Sequence, residues 1–286
     1  MAYFIFRVLL FAFMAYGALA EPNILDPGPQ LATYPTNTST LQQGTINLEY
    51  TPFAYEGARS GTPGQNDEKS GTYYNQFMAH IGATDEVELR VYGSGLAWGE
   101  AGSSGVNFSP LSFSTLVSIW HEHDEYPYLP AFSVEASINT ELLGNSTTNS
   151  GTNPGVQFAF SKDFPWDTNL NISMGPMRSR VNVGNDENSV YKNQWDFLFQ
   201  WALSKVLIEK KLSGFFHGYY NGTNAVSIPA EGQGSSRNLF GVGSTGIGGG
   251  LIWTVTDRLS MFGQVSGGIN SESPSILTWY GLAVAF

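Results

Sequence analysis

The chain ends on Thr278-Trp279-Tyr280-Gly281-Leu282-Ala283-Val284-Ala285-Phe286, with Tyr280, Leu282, Val284 and Phe286 at alternate positions. Apolar residues at period two mark a β-strand with one greasy face. The same period recurs upstream. It runs through Val87-Glu88-Leu89-Arg90-Val91, and through Phe132, Val134, Ala136 and Ile138 with Ser133, Glu135 and Ser137 between them. It returns at Val156, Phe158 and Phe160, at Leu170, Ile172 and Met174 against Asn169, Asn171 and Ser173, and at Trp195, Phe197, Phe199, Trp201 and Leu203. No stretch carries a 3.6-residue period with helix caps, and Lys205 to Lys211 reads as a turn between strands. The fold class is all-β.

Alternation alone does not separate a soluble sandwich from a barrel; composition and spacing do. Only 13% of the 286 residues are charged, against 14% aromatic and 33 glycines; an ordinary soluble domain is about 25% charged. The apolar face is large and aromatic, as in a lipid-facing band with aromatic girdles. The opposite face is Asn, Gln, Ser, Thr and Gly with scattered charge, as in a wet interior. Strands read near 43–53, 73–81, 87–95, 110–121, 129–141, 153–161, 168–177, 191–204, 208–221, 238–255, 258–270 and 275–286. Their connections run to about 19, 5, 14, 7, 11, 6, 13, 3, 16, 2 and 4 residues. Long and short alternate except at the last, Ser271 to Pro274. An even strand number, about 12, with long outer loops and short periplasmic turns is the pattern of an antiparallel up-and-down transmembrane β-barrel. The long loops are 54–72, 96–109, 178–190 and 222–237.

The start of the chain reads as an export signal. Arg7 precedes the apolar run Val8 to Tyr16, and Ala18-Leu19-Ala20 is an A-x-A cleavage site, so residues 1–20 are assigned as a signal peptide. Cleavage there removes one of 13 basic residues and none of 24 acids, leaving a charge of 12 − 24 = −12. An acidic chain has no nucleic-acid footprint. Without cysteine it has no disulfides and no thiolate metal site. Residues 21–39, rich in Pro, Thr and Asn, form a candidate periplasmic tail or internal plug, and 40–286 the barrel.

A terminal strand ending on Phe286 resembles the last strand of many bacterial outer-membrane proteins. That likeness implies delivery to a Gram-negative outer membrane, with the barrel-assembly machinery and membrane lipids as partners. Three stretches carry a more specific resemblance. They are Thr40-Leu41-Gln42-Gln43-Gly44-Thr45-Ile46-Asn47-Leu48-Glu49, Thr84-Asp85-Glu86-Val87-Glu88-Leu89-Arg90, and Gly249-Gly250-Leu251-Ile252-Trp253-Thr254-Val255-Thr256-Asp257-Arg258-Leu259. Followed by a last strand with Trp279-Tyr280-Gly281, this order is similar to the outer-membrane transporter-like family of the MetA pathway of phenol degradation. The resemblance implies passive passage of a small-molecule solute. Two positions depart from that family's pattern: Leu212-Ser213-Gly214-Phe215-Phe216 leads to His217 rather than an acid, and Gln264 is followed by Val265 and Ser266 rather than Asp. The family name does not establish an aromatic substrate.

With the greasy face outward, Glu49, Glu88, Arg90, Glu135 and Asp196 point inward, and with Gln264 they are the candidates for a solute pathway. Buried charge needs partners or water, and Arg90 is the natural partner of a neighbouring carboxylate. These groups line a selective constriction or form an ion-pair plug that stiffens the wall. His121 and His123 in His121-Glu122-His123-Asp124-Glu125 are weak metal candidates, since no third ligand is identified; a solvated acidic turn is the simpler reading. Gly241-Val242-Gly243-Ser244-Thr245-Gly246 spells a dinucleotide fingerprint but precedes Ile247-Gly248-Gly249-Gly250 rather than a helix, so close packing of a Gly-rich strand explains it better. No cofactor is expected. A non-conducting barrel that meets partners through its loops is the alternative function. A lipid hydrolase with a Ser–His pair on the lipid face is a remote one: His80 and His217 are the mid-strand candidates, without the flanking pattern of the outer-membrane phospholipase. No enzymatic activity is expected.

Overall fold

The computed structural model describes residues 28–57, 71–99, 107–108, 111–122, 128–140, 152–182, 191–222, 243–270 and 273–286. The signal peptide and His123 lie outside these residues, as does most of each long loop.

Among the described residues there are thirteen strands. In chain order they are β1 (Ile46–Gly57), β2 (Gly71–Gly82), β3 (Val87–Gly99), β4 (Asn107–Phe108), β5 (Ser112–Trp120), β6 (Ala131–Asn139) and β7 (Asn153–Phe164). Then follow β8 (Thr168–Asn182), β9 (Tyr191–Ile208), β10 (Leu212–Gly222), β11 (Gly243–Thr256), β12 (Leu259–Gly268) and β13 (Ile276–Ala285). β4 has only two residues and pairs with β3, as β5 does. The other twelve strands make an antiparallel meander, each paired with its chain neighbours, and β1 pairs with β13 to close the sheet. Ile46 and Phe286 seal the seam by exchanging both backbone hydrogen bonds, at 3.1 and 2.8 Å. Closure leaves none of these twelve strands with a free edge, which is what a β-structure in hydrocarbon requires.

Parity along each strand sorts the wall into two faces. On β13 and at Phe286 just after it, Tyr280, Leu282 and Phe286 are exposed, whereas Leu277, Trp279, Ala283 and Ala285 are buried. On β1, Leu48 and Tyr50 face out while Asn47, Glu49 and Thr51 face in; on β3, Leu89 is 44% exposed between Glu88 at 0% and Arg90 at 3%. A surface that exposes its Leu, Ile, Phe and Trp and buries its Glu, Arg, His and Ser inverts the soluble pattern. Hydrocarbon outside the barrel accounts for it. Aromatic clusters stand toward both ends of the wall: Phe53 with Tyr73 and Tyr280 at one, Trp120 with Phe132 and Phe160 at the other.

The short connections 83–86, 165–167, 209–211 and 257–258 share the end of the barrel that holds Ile46 and Phe286. The β5–β6 connection, 121–130, lies at that end too, since Val117 of β5 is opposite Val87 of β3; the other connections lie at the opposite end. Three boundaries correct the sequence reading. β9 runs on to Ile208, so the turn begins at Glu209 rather than Lys205; its ladder partner Thr168 extends far enough to bond Lys205. β1, β2, β3 and β8 likewise continue into the expected loops 54–72, 96–109 and 178–190, because ladder hydrogen bonds outlast the apolar alternation. The connection at Ser271–Pro274 is longer than expected, spanning 269–275, and thereby joins the long set. Pro52, which has no N–H to give the ladder, sits where β1 shifts register against both neighbours.

Candidate functional site: a segment across the lumen

Residues 28–43 cross the inside of the barrel. A single 3-10 turn, Gln30–Ala32, follows Pro29, and the segment then runs irregularly to β1. Irregular backbone away from water must find partners for its polar groups, and here the barrel wall supplies them. Gln30 and Leu31 donate their backbone N–H groups to the two oxygens of Glu49, each at 2.7 Å. Thr36 Oγ1 donates to Glu135 Oε2 at 2.5 Å, and Leu41 N–H to Glu88 Oε2 at 2.9 Å. The carbonyl of Leu31 accepts from Trp279 Nε1 at 2.8 Å. Nearer β1, Thr40 and Gln43 donate to Asp85 at 2.5 and 3.0 Å. The anchors stand on β1, β3, β6 and β13 and on the 83–86 turn, so the segment spans the interior from wall to wall. Ala32, Pro35 and Leu41 are fully buried.

The wall carboxylates are linked to one another through two basic side chains. His80 sits between Glu88 (Nδ1 to Oε1, 2.8 Å) and Glu49 (Nε2 to Oε1, 3.0 Å). The second approach is at ion-pair distance but lacks hydrogen-bond alignment. Arg90 Nε donates to Glu88 Oε1 at 2.5 Å, and its Nη1 lies 3.4 Å from Glu135 Oε2. Ser114 Oγ donates to Glu135 Oε1 at 2.6 Å. The result is a continuous line, Glu49–His80–Glu88–Arg90–Glu135, on β1, β2, β3 and β6. The ladder sets its spacing, since His80 is directly opposite Arg90 and Glu88 directly opposite Leu116, which faces Glu135. Each of the three carboxylates has a basic side chain beside it and a donor from the segment in front of it.

The sequence candidates therefore divide. Glu49, Glu88, Arg90 and Glu135 come together and hold the segment. Asp196 stands on β9 outside that line, accepting from Gln194 Nε2 at 2.9 Å. Gln264 belongs to a second cluster on β10 and β12, with His217 Nε2 2.8 Å from its Oε1 and Ser266 Oγ donating to the same oxygen at 2.5 Å. Tyr34 of the segment donates from its hydroxyl to Ser266 Oγ at 3.0 Å. Its ring lies against His217 (centroids 4.3 Å apart), Tyr219 (4.8 Å) and Trp279 (5.4 Å). His80 and His217 both face the interior and are buried, away from the lipid side where a surface lipid hydrolase would need them. His121 is exposed and Glu122 is paired with Lys162 and accepts Asp163 N–H at 3.0 Å; no metal-binding group is found among the described residues.

Sequence reading missed His80, Tyr34, Thr36 and Trp279 as members of the site. The sequence reading named His80 only as a lipid-face candidate; the structure puts it on the inner face with Met78, and nothing in the sequence places the N-terminal segment against it.

Two cavities flank the segment. One, about 370 Å³, is lined by Tyr34, Thr36, Phe77, Arg90, Glu135 and Trp279 among others; the second, about 460 Å³, by Gly28, Asn37, Thr38, His121, Glu122 and Asn171 among others. Thr33 lines both. The segment is the partition between them.

A closed, lipid-facing barrel with a polar, charge-lined interior has the architecture of outer-membrane channel proteins. Residues 36–286 match the MetA-pathway of phenol degradation family, and the chain belongs to that family. Its fold is similar to the crystal structure of an outer-membrane channel from Pseudomonas putida F1, with a TM-score of 0.62 at 10% identity over 88% of this chain and 99% of that one. It is also similar to the NanC porin, with a TM-score of 0.50 at 12% identity over 84% of this chain and 98% of that one. No curated protein matches the sequence.

Proposed function

We propose that the protein is an outer-membrane channel for passive passage of a small solute, held shut by residues 28–43. The observation that carries this reading is the pair of cavities, about 370 and 460 Å³, separated within one lumen by a segment joined to the wall through side chains and a few backbone N–H and C=O groups. Withdrawal of that segment joins the cavities without breaking a strand pair. The driving force is the solute's own gradient. Glu49, Glu88 and Glu135 hold the segment when it is in place; when it leaves they line the pathway with Arg90, Asp196 and Gln264.

In this reading residues 1–20 are removed on export, residues 21–39 are a plug rather than a loose tail, and the strand ending at Phe286 addresses the chain to the barrel-assembly machinery. The end that carries the four short turns faces the periplasm and the opposite end faces outside, following the usual asymmetry of such barrels. Lipid vesicles carrying the protein, placed in solutions of uncharged solutes of graded size, test the channel. Swelling beyond that of empty vesicles supports it. A folded barrel that stays silent both as the full chain and without residues 28–43 favours the non-conducting surface barrel instead.

A further inference from the structure

We infer that the slot filled by Tyr34 is a binding site for a free, uncharged, hydroxylated aromatic ring, and that such a ring displaces the segment by taking the tyrosine's place. The inference rests on the plugged-channel reading and gives its closed state a ligand.

The slot belongs to the wall. His217 and Tyr219 are on β10, Ser266 and Gln264 on β12, and Trp279 on β13; these are paired strands whose positions do not depend on the segment. Between β10 and β12, β11 makes room by lacking side chains. A Cβ on Gly246 would stand 2.5 Å from the Tyr219 ring, one on Gly248 2.3 Å from Ser266 Oγ, and one on Gly250 2.5 Å from the Phe215 ring. The glycines at alternate positions 246, 248 and 250, of which only Gly246 belongs to the run that spells a nucleotide fingerprint, are thus the relief into which the slot's aromatic and polar walls fit.

The slot's chemistry matches a phenol. Three rings surround the Tyr34 ring, and a neutral hydroxyl receives its O–H. Burial pushes the Tyr34 hydroxyl above its ordinary pKa, so this environment holds the ring as a neutral donor and disfavours a phenolate. Tyr34 also leaves the slot's hydrogen-bonding capacity unfilled. His217 is wholly buried and Gln264 is 4% exposed, yet His217 Nδ1 and Gln264 Nε2 have no partner. Buried polar atoms are normally paired, so these two give a free ring with further polar groups more to bond than Tyr34 does.

Access and coupling follow from the same residues. The cavity of about 370 Å³ is lined by both Tyr34 and Trp279, so a solute there meets the slot's edge. A ligand that binds only when Tyr34 is out shifts the segment toward its displaced state by its differential affinity.

The test uses p-cresol, the free form of the tyrosine side chain, titrated calorimetrically into the detergent-solubilised full chain and its Tyr34→Ala variant. Tyr34 is not part of the wall, so the variant leaves the strand pairing untouched. The expected result is one site per chain in Tyr34→Ala, with affinity roughly tenfold or more above that of the unaltered chain. Toluene, which lacks the hydroxyl, should bind that variant roughly tenfold more weakly than p-cresol, and adding Ser266→Ala should erase the difference. Equal binding of p-cresol with and without Tyr34, or equal binding of p-cresol and toluene by Tyr34→Ala, overturns the inference. The two readings fail separately. Cresol binding by a barrel that conducts in no form keeps the slot and removes the channel; conduction by a chain lacking residues 28–43 that binds no cresol keeps the channel and removes the slot.

Discussion

The hydroxyl of Thr36 donates to a carboxylate oxygen of Glu135 at 2.5 Å, joining two residues 99 positions apart in the chain. Thr36 comes from the segment and Glu135 from β6, and the same oxygen lies 3.4 Å from Arg90 Nη1. One short bond therefore ties the segment to the charged line in the wall. A hydrogen bond to a charged acceptor contributes about 1.5–3 kcal/mol, so Thr36→Val should raise the open fraction of reconstituted channels roughly tenfold or more. Single-channel recording at fixed voltage checks it; an unchanged open fraction leaves the bond without a role in closure.

Glu49 accepts two N–H groups of the segment at once. Glu49→Gln keeps the volume but removes the charge that strengthens both bonds and attracts His80. The segment should become more accessible, read as faster proteolytic clipping between residues 28 and 43 in otherwise folded barrels. Combined with Thr36→Val, the two effects should depart from additivity, because Glu49 and Glu135 end one charged line and hold the same segment. Simple additivity would show that the two ends of the segment are held independently.

The outward face is tested by charge. Ile247 on β11 is 43% exposed on the side away from the glycine relief, opposite Gly218 of β10. Ile247→Arg places a charge in hydrocarbon and should lower stability in lipid vesicles by about 2–4 kcal/mol, depending on depth. Urea titration in vesicles measures it. A neutral result would mean that this face meets water.

Removing Phe286 breaks the hydrogen-bond pair with Ile46 that ends the seam between β1 and β13. Loss of that pair and of the terminal aromatic should lower the yield of folded barrel in cells while leaving refolding in detergent less affected. Comparing heat-modifiable gel mobility from the two sources separates delivery from stability; equal loss in both makes the defect one of closure alone.

The barrel was legible in the sequence because its two faces differ at every step. Tyr280, Leu282 and Phe286 face lipid and Glu49, Glu88, Arg90 and Glu135 face inward, as period two requires. Strand ends were less legible: β9 continues to Ile208 because backbone pairing with β8 does not need an apolar side chain. Residues 21–39 read as either a tail or a plug, and the sequence could not choose, since the segment's bonds to Glu49, Glu135 and Ser266 use backbone N–H groups and common hydroxyls separated from their partners by 18 to 232 residues. Inward carboxylates imply that something must pair with them, and Arg90 was found on those grounds. That the other partners are the protein's own N-terminal residues is a property of the folded chain.

Conductance of the full mature chain against the same chain lacking residues 28–43, both in planar bilayers, tests the central claim most directly. The account predicts rare or small current steps from the full chain and frequent, larger steps from the shortened one. Identical traces from two equally folded barrels, whether silent or conducting, would contradict it.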